Sequence, residues 1–295
     1  MKKSDSYFSY LALLFLSAVW GSSFIFIKLS VETIPPTLLT SYRLIIASIF
    51  LLFFCNLKKI KKLFVENKTD LFIIGVFGNV IPFNLISWSE IYIDSIIAST
   101  LIGTMPLFTF IISLALFKKK FQTQTILGLM IGFVGLLIFL NPKTGSYNNF
   151  FYSFVIIIAS IMYAFSANWV KILKNKSSFE LACCSISVAA LLSLPTTLII
   201  LYFTEFNFNL FILTLSKSSF VSATILGVLC TGLAITTFFY LIKLKSPVFA
   251  SQSNYLIPCF GFVWSYMFLG ESLSLNLFVG LILIVSGGYF VNRQI

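Results

Sequence analysis

Residues 98–113, ASTLIGTMPLFTFIIS, and residues 250–265, ASQSNYLIPCFGFVWS, decide the fold. Laid on each other without gaps at an offset of 152, they pair Ala98 with Ala250, Ser99 with Ser251 and Pro106 with Pro258. Phe108, Phe110 and Ser113 pair with Phe260, Phe262 and Ser265. The same offset carries back to Gly75/Gly227 and on to Gly128/Gly280 and Gly135/Gly287. Over residues 75–140 it gives 11 identities in 66 positions. The matches fall on Pro, Gly and small residues, where backbone geometry is set, and an internal repeat of this kind fixes the architecture. The first apolar segments match at a different offset, 143: Ser17/Ser160, Trp20/Tyr163, Ser23/Ser166 and Lys28/Lys171. The difference of nine residues places an insertion in the second half, and the stretch 204–217, read as polar, is its natural position.

The composition puts this repeat in a membrane. Of 295 residues, 59% are hydrophobic and 10% charged, and the mean hydropathy is +1.01. A soluble domain is about 45–50% apolar and about 25% charged. Ten apolar segments of membrane-crossing length follow one another at 8–29, 36–57, 70–90, 94–117, 123–140, 150–172, 179–203, 218–242, 247–269 and 274–291. The first continues past Trp20 to Ile27 with no small-residue cleavage site, so it reads as a retained helix and not a signal peptide.

Net charge of +11 could suggest nucleic acid, but the lysines sit in short loops between apolar runs. Sixteen basic residues fall on one side: Lys58, Lys59, Lys61, Lys62, Lys68, Lys118, Lys119, Lys120, Lys171, Lys174, Lys176, Lys243 and Lys245, with Lys2, Lys3 and Arg293 at the termini. Lys28, Lys143 and Lys217 fall on the other. The positive-inside rule then predicts cytoplasmic termini. Each half holds five helices, an odd number, so the second half enters the membrane from the opposite side. The expected fold is an all-α membrane protein of ten transmembrane helices in two five-helix inverted repeats, at 7–141 and 149–292. Such repeats place a substrate site near the midplane and alternate its access by rocking.

Trp20, Gly21, Ser22 and Ser23, then Arg43, then Pro82, Phe83, Trp88, Ser89, Glu90, Ser95, Ala98, Ser99, Pro106, Leu107 and Phe108 stand in an order and spacing that resembles the EamA-type transporters of the drug/metabolite transporter superfamily. The second half resembles another copy, ending in Pro258, Leu269, Gly270, Glu271, Gly280 and Gly287. The resemblance implies a multi-pass carrier of the bacterial inner membrane, often an exporter of amino acids or related metabolites. It also implies peripheral last helices in each repeat. One departure is Lys118-Lys119, where the family's first copy has Gly-Glu.

Polar residues at membrane depth mark interiors and pathways. Ser251, Asn254, Tyr255 and Pro258 follow at i, i+3, i+4 and i+7, one face of a helix. Asn84 and Trp88 share a face, with Asn79 and Pro82 near mid-depth, and Thr236 and Tyr240 hold the equivalent places in the second half. Trp20 and Tyr163 pair across the repeats, with Ser23 one turn from Trp20. Trp20, Ser23, Asn79, Asn84, Trp88, Tyr163, Thr236, Tyr240, Ser251, Asn254 and Tyr255 are therefore the candidate substrate-binding residues. Pro82, Pro106 and Pro258 would break helical hydrogen bonds and free carbonyls. For each Ser, Thr or Asn the alternative is a hydrogen bond between packed helices.

Arg43 is the only basic residue well inside an apolar segment. It can anchor a substrate carboxylate in two bonds, or close an outer gate with Glu90. The gate is the favoured reading. Gly128, Gly132 and Gly135, echoed by Gly280 and Gly287, form a small-residue stripe for close helix packing, within the chain or between two protomers of a homodimer.

No histidine is present, no acid lies mid-membrane, and the five cysteines (Cys55, Cys183, Cys184, Cys230, Cys259) show no metal spacing. An enzyme, a metal site and a cofactor are not expected. The partners expected are the bilayer and a small polar or amphipathic substrate, with no nucleic acid. The function read is a secondary transporter that exports small polar or amphipathic metabolites, such as amino acids, by alternating access; an uptake carrier or exchanger, or a channel, is the alternative. Transport driven by a membrane-embedded carboxylate is not expected.

Overall fold

In lipid every backbone polar group must be satisfied internally, which leaves the helix as the natural form for segments this apolar. The computed structural model describes residues 3–117, 123–140, 149–173, 176–269 and 275–292, and no strand occurs among them. Lys2, Lys118, Lys119, Lys120, Lys143, Lys174, Gly270, Glu271 and Arg293 lie outside the described residues.

The first half opens with α1 (Lys3–Val31) and α2 (Pro36–Phe54), the second with α9 (Asn149–Ile172) and α10 (Ser178–Phe203). Pro36 opens α2 in its first turn, where its missing N–H costs nothing. Residues 57–69, read as a lysine loop, begin instead with a short helix, α3 (Leu57–Glu66), whose lysines face out and whose Leu63 is buried. Asn56 caps it by accepting from the Lys58 N–H.

The third segment of each half is one long rod with a wide turn inside it. α4 (Lys68–Gly75) passes through a π-helical stretch, Val76–Val80, into α5 (Ile81–Tyr92). Its partner runs from α12 (Lys217–Ile225) through π-helical Leu226–Leu233 into α13 (Ala234–Leu244). The fourth segment of each half, read as continuous, is broken. Gly103 and Thr104 separate α6 (Ser95–Ile102) from α7 (Met105–Phe117). Gln252 separates α14 (Pro247–Ser251) from α15 (Ser253–Leu269). α8 (Thr123–Leu140) and α16 (Leu275–Asn292) end the halves. The insertion at 204–217 is not simply polar: it forms α11 (Phe208–Thr214), with Phe208, Leu210, Ile212 and Leu213 exposed.

Among the described residues, seven helical stretches are long and apolar enough to cross a membrane: Tyr7–Val31, Pro36–Phe54, Lys68–Tyr92, Ile97–Phe117, Phe150–Ile172, Ser178–Phe203 and Lys217–Leu244. Thr123–Ile138 and Phe278–Val291 are shorter apolar helices. Ile49, Leu191, Leu198, Ile282 and Val285 are exposed on the flanks, an outer face suited to lipid.

The halves exchange their third segments. Gly75 packs on α10, where an added Cβ would stand 3.3 Å from the Ser185 carbonyl and 3.4 Å from the Ala189 nitrogen. Its repeat mate Gly227 packs on α2, where a Cβ would meet Ile46 at 2.8 Å and the Arg43 carbonyl at 3.1 Å. Ile46 and Ala189 stand 143 residues apart, so the offset that aligns the first helices also aligns the second. α2 and α10 then meet directly: Ser41 Oγ donates to the Ser193 carbonyl at 3.0 Å, and the Ser48 and Ser187 hydroxyls are 2.8 Å apart. The glycine stripes of α8 and α16 face each other within the chain. A Cβ on Gly287 would stand 2.5 Å from the Gly128 carbonyl and the Gly132 nitrogen.

Candidate functional site

The two π turns bring the centre of the molecule together. A π turn leaves a backbone carbonyl off the i→i−4 ladder, and such turns recur at functional sites. Asn79 Nδ2 donates to the Ile74 carbonyl at 3.3 Å, five residues back, and Thr231 Oγ1 donates to the Leu226 carbonyl at 2.8 Å, also five back. Asn79 and Thr231 stand 152 residues apart, as do Ile74 and Leu226. Proline does not explain the turn, because Pro82 follows the first π segment and Ala234 the second.

Beside the first of these turns lies a cavity with about 80 Å³ of room for the centres of water-sized molecules. Both halves wall it. Trp20, Ser23, Arg43, Gly78, Asn79, Phe83 and Met105 come from the first; Tyr163, Ser166, Phe238 and Asn254 come from the second. Most of the remaining wall is apolar: Phe24, Ile27, Ile86, Ile102, Ile235, Phe239 and Ile257. Gly78 lies close against Ser166.

Several polar lining groups are held from behind. Trp20 Nε1 donates to the Cys230 carbonyl at 3.0 Å, and its ring rests on Phe238 with centroids 5.2 Å apart. Ser23 Oγ donates to the Trp20 carbonyl at 2.6 Å. Asn254 Nδ2 donates to the Ser251 carbonyl at 3.0 Å and lies 3.1 Å from Met105 Sδ. The Asn79 Oδ1 is buried with no partner.

Arg43 is 4% exposed. Its Nε donates to Thr231 Oγ1 at 3.1 Å, and its guanidinium carbon sits 3.9 Å from the centre of the Phe83 ring. Glu90 is also fully buried, but among the described residues no ion pair joins it to Arg43. Ser95 Oγ donates to Glu90 Oε2 at 3.0 Å, and Glu90 Oε1 has no partner. The direct Arg43–Glu90 contact expected of an outer gate is therefore not formed in this structure.

Of the sequence candidates, Trp20, Ser23, Asn79, Tyr163 and Asn254 meet at the cavity beside Arg43. The others lie elsewhere. Asn84 and Trp88 line a separate cleft with Pro35, Pro36 and Thr204, and Thr236 and Tyr240 line another with Phe8, Phe15 and Ser178. Ser251 is spent on the Val248 carbonyl at 2.9 Å. Tyr255 donates to the Leu129 carbonyl at 3.0 Å and lays its ring on Gly132, tying α15 to α8. Pro106 falls in the first turn of α7, whereas Pro258 lies inside α15 and Pro82 inside the continuous rod of the third segment, just after its π turn. Thr231 was not a sequence candidate, although the 152 offset from Asn79 points to it.

A family model described as "EamA-like transporter family" matches residues 8–141 and again 150–293. The chain belongs to the EamA-like transporter family. This EamA-like protein is 30% identical over 263 residues to an uncharacterized transporter of Buchnera aphidicola subsp. Schizaphis graminum, covering 86% of this chain and 84% of that one. It is 26% identical over 264 residues to the uncharacterized inner membrane transporter YedA of Escherichia coli K12, covering 89% and 83%. A shorter match, 36% over 121 residues, joins it to an uncharacterized transporter of Buchnera aphidicola subsp. Schlechtendalia chinensis and spans 41% of this chain and 40% of that protein. A solved structure titled only "Crystal structure of protein" superposes with a TM-score of 0.73 at 15% identity, over 100% of this chain and 99% of that one, which shows the same fold. The protein is a multi-pass membrane protein of transporter type.

Proposed function

We propose that this chain is a secondary carrier that moves a small, partly apolar metabolite by alternating access through the cavity between its repeats. One observation carries the reading: both repeats contribute their first helices and third segments to the same buried cavity, so rocking one repeat on the other moves its walls. The proposal includes ten spans with both termini in the cytoplasm and, by likeness to the relative named as an inner membrane transporter, a place in the bacterial inner membrane. Export is the direction favoured. Among the described residues the cavity wall carries no carboxylate, which supports facilitated diffusion or exchange over a proton relay within the site.

Saturable counterflow in proteoliposomes tests the carrier: labelled substrate should overshoot when unlabelled substrate is trapped inside. A linear, unsaturated leak would instead indicate a channel. Reporter fusions at both ends and in the 204–217 insertion test the orientation, with the two ends predicted on one side and the insertion on the other.

A further inference from the structure

Arg43 breaks the symmetry of the repeat. The offset of 143 that aligns α2 with α10 puts Ile186 at its place in the second half, fully buried. A fold that accepts isoleucine there in one copy does not need a cation in the other. Burying a guanidinium costs free energy unless it is paired and hydrogen-bonded. Of its five donors, only Nε is spent on a protein acceptor among the described residues, and none of those residues offers a carboxylate within ion-pair distance. The forked end belongs to the cavity wall.

We infer that the substrate is a monoanion, a small carboxylate with an apolar body, bound through Arg43, and not a zwitterionic amino acid; this rests on the carrier reading above. A carboxylate matches the guanidinium fork in two parallel bonds. The site supplies one cation, so a second negative charge would enter unpaired. Among the described residues no acid lines the cavity, so a substrate ammonium would meet neutral acceptors there, such as Asn79 Oδ1. Arg43 itself holds the Phe83 face, and any ammonium nearby would be repelled by it. The apolar wall, with Trp20, Ile86, Ile235 and Phe238, receives the hydrocarbon part.

The test uses three probes of one shape on the purified full chain in detergent: 4-methyl-2-oxopentanoate, leucine and 3-methylbutylamine. Binding is read by thermal stabilisation and by quenching of tryptophan fluorescence. The oxo acid should bind about tenfold or more tighter than leucine, a gap of about 1.4 kcal/mol, and the amine should not bind. Arg43→Gln should abolish oxo-acid binding, and Arg43→Lys should retain a weakened preference for the anion. Tighter binding of leucine or the amine overturns the inference, as does wild-type protein that binds none of the three. The wild-type series decides the question even if Arg43→Gln fails to fold. Oxo-acid binding without counterflow in liposomes would sink the carrier reading and leave the anion site standing.

Discussion

Lys28 and Lys171 do the same work in opposite halves of the molecule. Lys28 Nζ donates to the Glu90 carbonyl at 2.6 Å and the Ile93 carbonyl at 3.3 Å, where α5 ends. Lys171 Nζ donates to the Ile242 and Lys245 carbonyls at 2.9 and 3.1 Å, where α13 ends. The lysines stand 143 residues apart and each pair of carbonyls 152 apart, the two offsets of the repeat. A cation against terminal carbonyls satisfies orphan acceptors and the helix dipole together.

This pair gives the first prediction. Partly buried charges of this kind contribute up to about 2 kcal/mol. Lys28→Met and Lys171→Met should each lower the melting temperature in detergent, by similar amounts of several degrees. A loss confined to one variant would mean that the symmetry is geometric only.

The second concerns α8 and α16. A side chain on Gly287 would collide with the backbone of Gly128 and Gly132. Overpacking of a tight contact costs about 1–3 kcal/mol, sometimes more. Gly287→Leu should reduce the yield of folded protein, while Val285→Leu, on the exposed face, should not. Because these stripes are spent inside the chain, neither variant should act by splitting a dimer. Size-exclusion with light scattering checks this, and a Gly287→Leu protein that is well folded but dissociated would contradict it.

The architecture was legible because the repeat marks sit where backbone geometry is constrained: Pro106/Pro258, Gly75/Gly227, Trp20/Tyr163. The site was less legible, because irregularities within the helices change which residues face it. A π turn adds about one residue to a turn, which rotates everything after it by about 100° relative to a regular helix. Asn79 lies within the turn and reaches the cavity; Asn84 and Trp88 lie beyond it and turn to an outer cleft. The break at Gln252 likewise separates Ser251 from Asn254 and sends Tyr255 toward α8. Asn79 and Thr231 share a role but no chemistry that an identity match could find.

Thr231 supports the third prediction. Its hydroxyl accepts from Arg43 and donates to its own π-turn carbonyl. A hydrogen bond to a charged group is worth about 1.5–3 kcal/mol. Thr231→Val should leave Arg43 free to wander and raise the KM for transport by about tenfold or more, with a smaller change in kcat. Thr231→Ser, which keeps the hydroxyl, should stay near wild type. Equal behaviour of the two variants would remove Thr231 from the site.

The fourth lies outside the membrane-crossing segments. Glu66, at the end of α3, pairs with Lys176 at 2.7 Å and with Lys62 at 3.9 Å. The Lys176 hydrogen bond, more than the nearby charges, holds its carboxyl below the ordinary range. A depressed carboxylate contributes stability that is present above the unfolded value and lost as pH falls through the folded one. The tie between the halves should hold at neutral pH and be lost only as the pH falls below the ordinary glutamate range. Zero-length carboxyl–amine cross-linking of Glu66 to Lys176 should proceed at neutral pH and disappear in Glu66→Gln. A tie that strengthens on acidification would reverse the sign.

The last concerns Glu90 and the gate. If a direct ion pair with Arg43 closed the outer side, exchanging the charges would preserve it. In the structure the two residues keep different company: Glu90 holds Ser95 at the turn between α5 and α6, and Arg43 holds Thr231 and the Phe83 ring. The Glu90 backbone carbonyl is what Lys28 grips, and that contact survives any change of side chain. Glu90→Gln keeps an oxygen for Ser95 and should retain at least half of the flux. The double exchange Arg43→Glu with Glu90→Arg should remain inactive, because a carboxylate at 43 repels the anion and a guanidinium at 90 lies outside the cavity wall. Flux restored by the exchange would revive the gate, and flux abolished in Glu90→Gln alone would give that carboxyl a part in transport that its surroundings do not reveal.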